Sequence, residues 1–145
     1  MIMKTLLLTF LLSVSSYQNN NAVQKADVEA VLTHTLNQTE LTRFIYPYVE
    51  RLDVLYFRFL PSPVYSSQSL QQLKSISLKV KDSSPLVYDT YQDEKQKPII
   101  FIKIMSMTQD TAQIRIGFSI QGVVGNFTLV KGAIWTIAKS DVYEI

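Results

Sequence analysis

Between Thr111 and Ile120 every second residue is apolar: Ala112, Ile114, Ile116, Phe118 and Ile120 alternate with residues such as Gln113, Arg115 and Ser119. A two-residue period belongs to a strand with one buried face, so a half-buried strand is predicted there. The preceding run, Pro98 to Met107 (PIIFIKIMSM), is apolar on both of its faces, which predicts a central strand. Thr108-Gln109-Asp110 turns between the two. Gly122 and Gly125-Asn126 predict the next turn, and Phe127 to Lys131 a returning strand. Gly132 predicts another turn, and Ile134 to Ala138 completes an antiparallel meander, leaving Val142 to Ile145 for a last edge.

Upstream the period is helical. Val28, Val31, Leu32 and Leu36 form one apolar stripe, with Lys25, Glu29 and Gln38 off it. Asn21-Ala22-Val23-Gln24 reads as a capping box, with Asn21 at the N-cap. Asn37-Gln38-Thr39-Glu40 repeats the pattern and predicts a second short helix carrying Leu41, Phe44 and Ile45 up to Pro47. The result is helix, kink, helix over roughly 22–46. Leu52 to Leu60 is aromatic and branched and ends at Pro61-Ser62-Pro63, a strand with a firm stop. Ser66 to Lys74 fits one short helix. Ile76 to Val80 alternates as an edge strand would, with Lys79 and Lys81 suited to protecting it. The segment from Ser83 to Lys97, with Pro85 and the charged run Asp93-Glu94-Lys95, is the longest irregular stretch.

Helices first and a meander afterwards predict an α+β domain: an N-terminal helix, kinked or split in two, packed on a curved antiparallel sheet. This order of elements from Asn21 to Ile145, with the run Ala112…Gly122…Phe127-Thr128-Leu129-Val130-Lys131…Trp135, resembles the cystatin-like or NTF2-like group. The resemblance implies a curved sheet wrapping a helix, with room for a pocket at its open end. No residue motif of a catalytic member is present, so it extends to fold alone.

The N-terminal residues predict export. Lys4 followed by the ten-residue apolar run Thr5 to Val14, with small residues Ser13 to Ser16 behind it, reads as a signal peptide cut after Ser16 or Ser15. Residues 1–16 are then leader, and 17–145 one exported domain, periplasmic or secreted. Ten helical residues span about 15 Å, too short for a membrane crossing, so no membrane span is expected in the mature chain. The chain contains no cysteine, which excludes thiol catalysis, thiolate metal sites and a lipid-modified cysteine. The formal charge of +2 falls to +1 without Lys4, and the cations are scattered, so nucleic acid is not an expected partner.

Candidate chemistry is sparse. His34 is the only histidine, which removes multi-histidine metal sites and most histidine relays. No metal, cofactor or catalytic residue is assigned. Eight tyrosines are many for this length, and Tyr46-Pro47-Tyr48 with Tyr56-Phe57-Arg58-Phe59 offers rings for a binding face. Arg58 and Arg115 place cations on sheet faces where a carboxylate ligand can dock, Glu50 being the duller partner for either. Trp135 suits core or sheet-edge packing. His34, Tyr46, Tyr48, Tyr56, Arg58, Arg115 and Trp135 are therefore the candidate ligand-binding residues. Asn37-Gln38-Thr39 and Asn126-Phe127-Thr128 fit the glycosylation sequon. The expected function is non-catalytic binding of a protein or small ligand. The alternatives are a small pocket hydrolase or isomerase using His34 or Asp53 near Tyr56, and an inhibitor or immunity-type protein.

Overall fold

The computed structural model describes residues 24–51, 54–81, 85–89 and 98–145; the expected leader, Asn21, Asp53 and the charged run 93–95 lie outside them. Helix α1 (Lys25–Leu36) buries Val28, Val31, Leu32, Thr35 and Leu36, one stripe at helical spacing. Its N-cap is Gln24 rather than Asn21, and the amides of Asp27 and Val28 bond to the Gln24 carbonyl. The cap therefore uses backbone, which no side-chain pattern announces.

Asn37 closes α1 instead of opening the next helix. Its side-chain amide donates to the carbonyls of Thr33 (2.8 Å) and Lys79 (3.0 Å), and its Oδ1 accepts from the Lys81 amide (2.6 Å). With Asn37 so occupied, Gln38 caps α2 (Thr39–Glu50), its Oε1 accepting from the Leu41 amide at 3.0 Å. Nor does Pro47 end α2, which runs on to Glu50. Pro47 is exposed, so the carbonyl that loses a donor is left beside solvent.

Strand β1 is shorter than expected, Tyr56–Phe59, with Phe57 and Phe59 buried and Tyr56 and Arg58 half-buried. Helix α3 (Ser67–Gln72) is capped by Ser66 and followed by a tight turn over Leu73–Ser75. Ile76, Leu78 and Val80 are buried in alternation, yet they form no strand. Their backbone is tied by the Leu86 amide to Leu78 and by Asn37 to Lys79. The outer place beside β1 goes to β2 (Val87–Tyr88). Period two thus reported the buried face correctly, but the expected edge strand does not form there.

The chain closes with β3 (Ile99–Met107), β4 (Thr111–Phe118), β5 (Val123–Lys131) and β6 (Trp135–Glu144). All six strands form one sheet in the order β2-β1-β3-β4-β5-β6. The sheet is mixed rather than wholly antiparallel, because β1 runs parallel to both β2 and β3. The long connection after Phe59, which includes α3, returns the chain in the same direction, as a parallel pair requires. From β3 onward the pairing is antiparallel.

Three local expectations in the meander are corrected. Ile120 lies beyond the end of β4 and is 37% exposed. Gly122 alone makes the turn, at φ +62°, while Gly125 and Asn126 lie inside β5. Gly125 is needed there because the Phe127 ring lies over its Cα: an added Cβ would sit 2.5 Å from that ring. Finally, the last two pieces are one strand, β6, continuous through an irregularity opposite Thr128 and Leu129.

One sheet face carries the core. Ile100, Ile102, Ile104, Ile114, Ile116, Phe118, Phe127 and Leu129 are buried on it, and α1 packs there against β4 and β6. Tyr48 of α2 meets the Phe118 ring edge-on at 5.2 Å. The opposite face is covered by no described helix. No helix among the described residues is long and apolar enough to cross a membrane.

Candidate functional site

Alternation along the strands divides the candidates between two sides of the sheet. On the helix side, His34 is exposed near the end of α1 and shares an open groove of about 480 Å³ with Ile134 and Trp135. Trp135 is buried and donates its indole N–H to Asp27 Oδ1 at 3.0 Å. Lys131 Nζ reaches the same oxygen at 2.9 Å. These two bonds and the Lys131 charge hold the Asp27 carboxyl below its usual range, the Trp135 bond foremost, against the opposing effect of burial. The groove's amides are already engaged: Asn37 in the α1–79–81 tie, and Gln38 in capping α2. Its two amides hold the fold together, while the His34 imidazole is exposed at the groove.

Tyr46 and Tyr48 also lie on the helix side, apart from Tyr56. Lys81 Nζ sits 4.1 Å over the Tyr46 ring, and the Arg51 guanidinium 4.5 Å over the Tyr48 ring. Both tyrosines serve as packing platforms between α2 and its surroundings. The two Tyr-rich stretches that adjoin in sequence do not make one aromatic face.

Tyr56, Arg58 and Arg115 emerge on the other face, which no described helix covers. Arg58 is bound to Asp89 at 2.5 Å, and the Asp89 side chain is only 3% exposed, so this cation anchors the β1–β2 edge. Arg115 is exposed at the middle of the face, its Nε donating to Asn126 Oδ1 at 2.9 Å. Cross-strand register sets Lys103, Arg115, Asn126 and Asp141 in one row across β3, β4, β5 and β6. The next row runs Phe101, Gly117, Val124, Tyr143, with Arg58 beside Phe101. A groove of about 330 Å³ lies between Arg115, Asn126 and Asp141 on one side and Gln113, Thr128 and Lys139 on the other.

Sequence reading singled out Arg115 but missed Lys103, Gly117 and Asn126 around it. The period-two pattern places Lys103 and Arg115 outward on their own strands; only the pairing register shows that they are neighbours. Among the described residues no cluster of three histidine, aspartate or glutamate side chains is placed to hold a metal ion. Compared with family models, with curated protein sequences and with solved structures, the chain has no match.

Proposed function

We propose that this chain is an exported, non-catalytic binding domain that docks a partner on the sheet face that no described helix covers. The observation that carries this reading is the two-sidedness of the sheet. One face is sealed by helices, while the other presents Arg115, Lys139, Asp141 and Tyr143 exposed around half-buried Phe101 and Val124. Exposed polar and charged groups beside partly buried apolar side chains are the composition of a protein-binding surface. The leader pattern supports export, and the fold-level resemblance to cystatin-like or NTF2-like domains belongs to the same proposal.

The catalytic alternative is weakened by placement. His34 stands on the helix side and Tyr56 on the opposite face, so the pair cannot share one substrate. The inhibitor or immunity reading is a special case of docking, distinguished by a single stoichiometric enzyme partner.

A photo-crosslinking residue placed at Val124, and separately at His34, tests the assignment in the producing cell. Adducts to one protein from Val124 and none from His34 are expected. Adducts from His34 alone would move the site to the helix-end groove and overturn the proposal. Mass spectrometry of the same material checks export: the chain should begin after Ser16 or Ser15.

A further inference from the structure

Lys103 and Arg115 face each other directly across the β3–β4 pair. Like charges opposite one another on a sheet destabilise it, so such a pair needs a balancing group. None is present: among the described residues Lys103 makes no ion pair, and Arg115 bonds only to the neutral Asn126 amide. The nearest acid in the row, Asp141, lies two strands from Arg115, about 10 Å at the usual strand spacing. Lys139, exposed on β6 opposite Thr128, adds a third cation to this end of the face.

Beside this pair the surface dips. Gly117, two residues along β4 from Arg115, brings no side chain to the face, and its row neighbours are Phe101 and Val124. A Cβ built on Gly117 meets only Phe101 Cβ, at an ordinary 3.8 Å. Neither crowding nor a positive φ therefore demands glycine here. A glycine inside a strand weakens it and often marks a place where another chain or ligand comes close.

Resting on the docking face proposed above, we infer that its occupant is an extended acidic protein segment. A carboxylate of that segment bridges Lys103 and Arg115, and an apolar side chain two residues away enters the notch at Gly117. The spacing follows from geometry, since residues i and i+2 of an extended chain are about 6.8 Å apart on one side, as Arg115 and Gly117 are. A free small carboxylate fits less well, because such ligands are held in pockets that bury most of their surface, whereas Arg115 stands exposed on an open sheet face. The charge of the segment complements the cation pair, which is where the sheet is electrostatically unsatisfied.

The test is an amide NMR titration of the full mature domain with a blocked leucine–threonine–glutamate–threonine–leucine pentapeptide. Parallel titrations use its glutamine counterpart, acetate and inorganic phosphate. The expected result is shifts at Arg115, Gly117 and Val124, at least fivefold weaker binding of the glutamine peptide, and weakening by salt. Lys103→Gln/Arg115→Gln should reduce affinity tenfold or more while the melting temperature rises, because the facing like charges are gone. Gly117→Leu should reduce it while the sheet stays folded. Equal binding of both peptides on this face would overturn the acidic specificity and leave the docking face standing. Shifts confined to the His34 groove, or none, would overturn both. Equal response to acetate or phosphate would reduce the site to simple anion contact and overturn the peptide.

Discussion

The indole of Trp135 donates its one proton to Asp27, 3.0 Å away and 108 residues earlier in the chain. The bond ties the first turn of α1 to the start of β6, and Lys131 completes it from β5. Asp27→Ala should cost about 1–3 kcal/mol, because it removes a charge-assisted acceptor from a buried indole.

The same contact makes stability depend on pH. A carboxyl whose folded pKa is depressed contributes stability that is fully present above its unfolded value of about 4. That contribution disappears as pH falls through the lower folded value. Denaturant midpoints measured between pH 6 and pH 2 should therefore fall at the acid end. In Asp27→Asn that part of the slope should vanish.

The Arg58–Asp89 ion pair predicts an effect of Arg58 on stability rather than on binding. Arg58→Ala strips the cation from a carboxylate that is almost wholly buried, and a loss of about 3 kcal/mol is expected. Arg58→Lys should fall between, since an ammonium keeps the charge without the planar fork. Urea unfolding of the three proteins checks the order.

Two glycines on neighbouring strands should respond with opposite sign. Gly125→Ala drives a Cβ into the Phe127 ring and should destabilise by about 1–3 kcal/mol. Gly117→Ala has room and should stabilise by about 0.5–1 kcal/mol, through a smaller loss of backbone entropy on folding. Equal effects in thermal melts would contradict the stated geometry.

Tyr65 carries the one buried side-chain polar atom without a partner among the described residues. Burial pushes its pKa up. Tyr65→Phe should therefore stabilise by about 1 kcal/mol, by deleting a hydroxyl that was desolvated without a bond. Since a raised folded pKa confers stability below the unfolded value and loses it as pH rises, the wild type should also weaken above about pH 10. Stability curves of both proteins between pH 8 and pH 11 check this.

Much of the local structure was legible because burial on one face writes a period into the chain. The stripe Val28-Val31-Leu32-Leu36 and the alternation Ala112 to Phe118 announced α1 and β4 in this way, and the apolar run 98–107 announced a central β3. Errors fell where a competing contact decided. Asn37 was drawn into capping α1 by Lys79 and Lys81, far along the chain, so Gln38 opened α2. Gly125 looked like a turn because its reason, the Phe127 ring, acts through packing rather than backbone conformation.

By itself, the sequence determined the α+β class, the stretches with a buried face and the absence of cysteine chemistry, since each depends only on residue type and nearby spacing. Tertiary structure alone decided that β1 runs parallel to its neighbours, that Tyr46 and Tyr48 part company with Tyr56, and that Lys103 stands opposite Arg115. Strand order and register come from contacts between residues far apart in the chain. No local period encodes which outward-facing side chains become neighbours, and the candidate binding face is made of those neighbours.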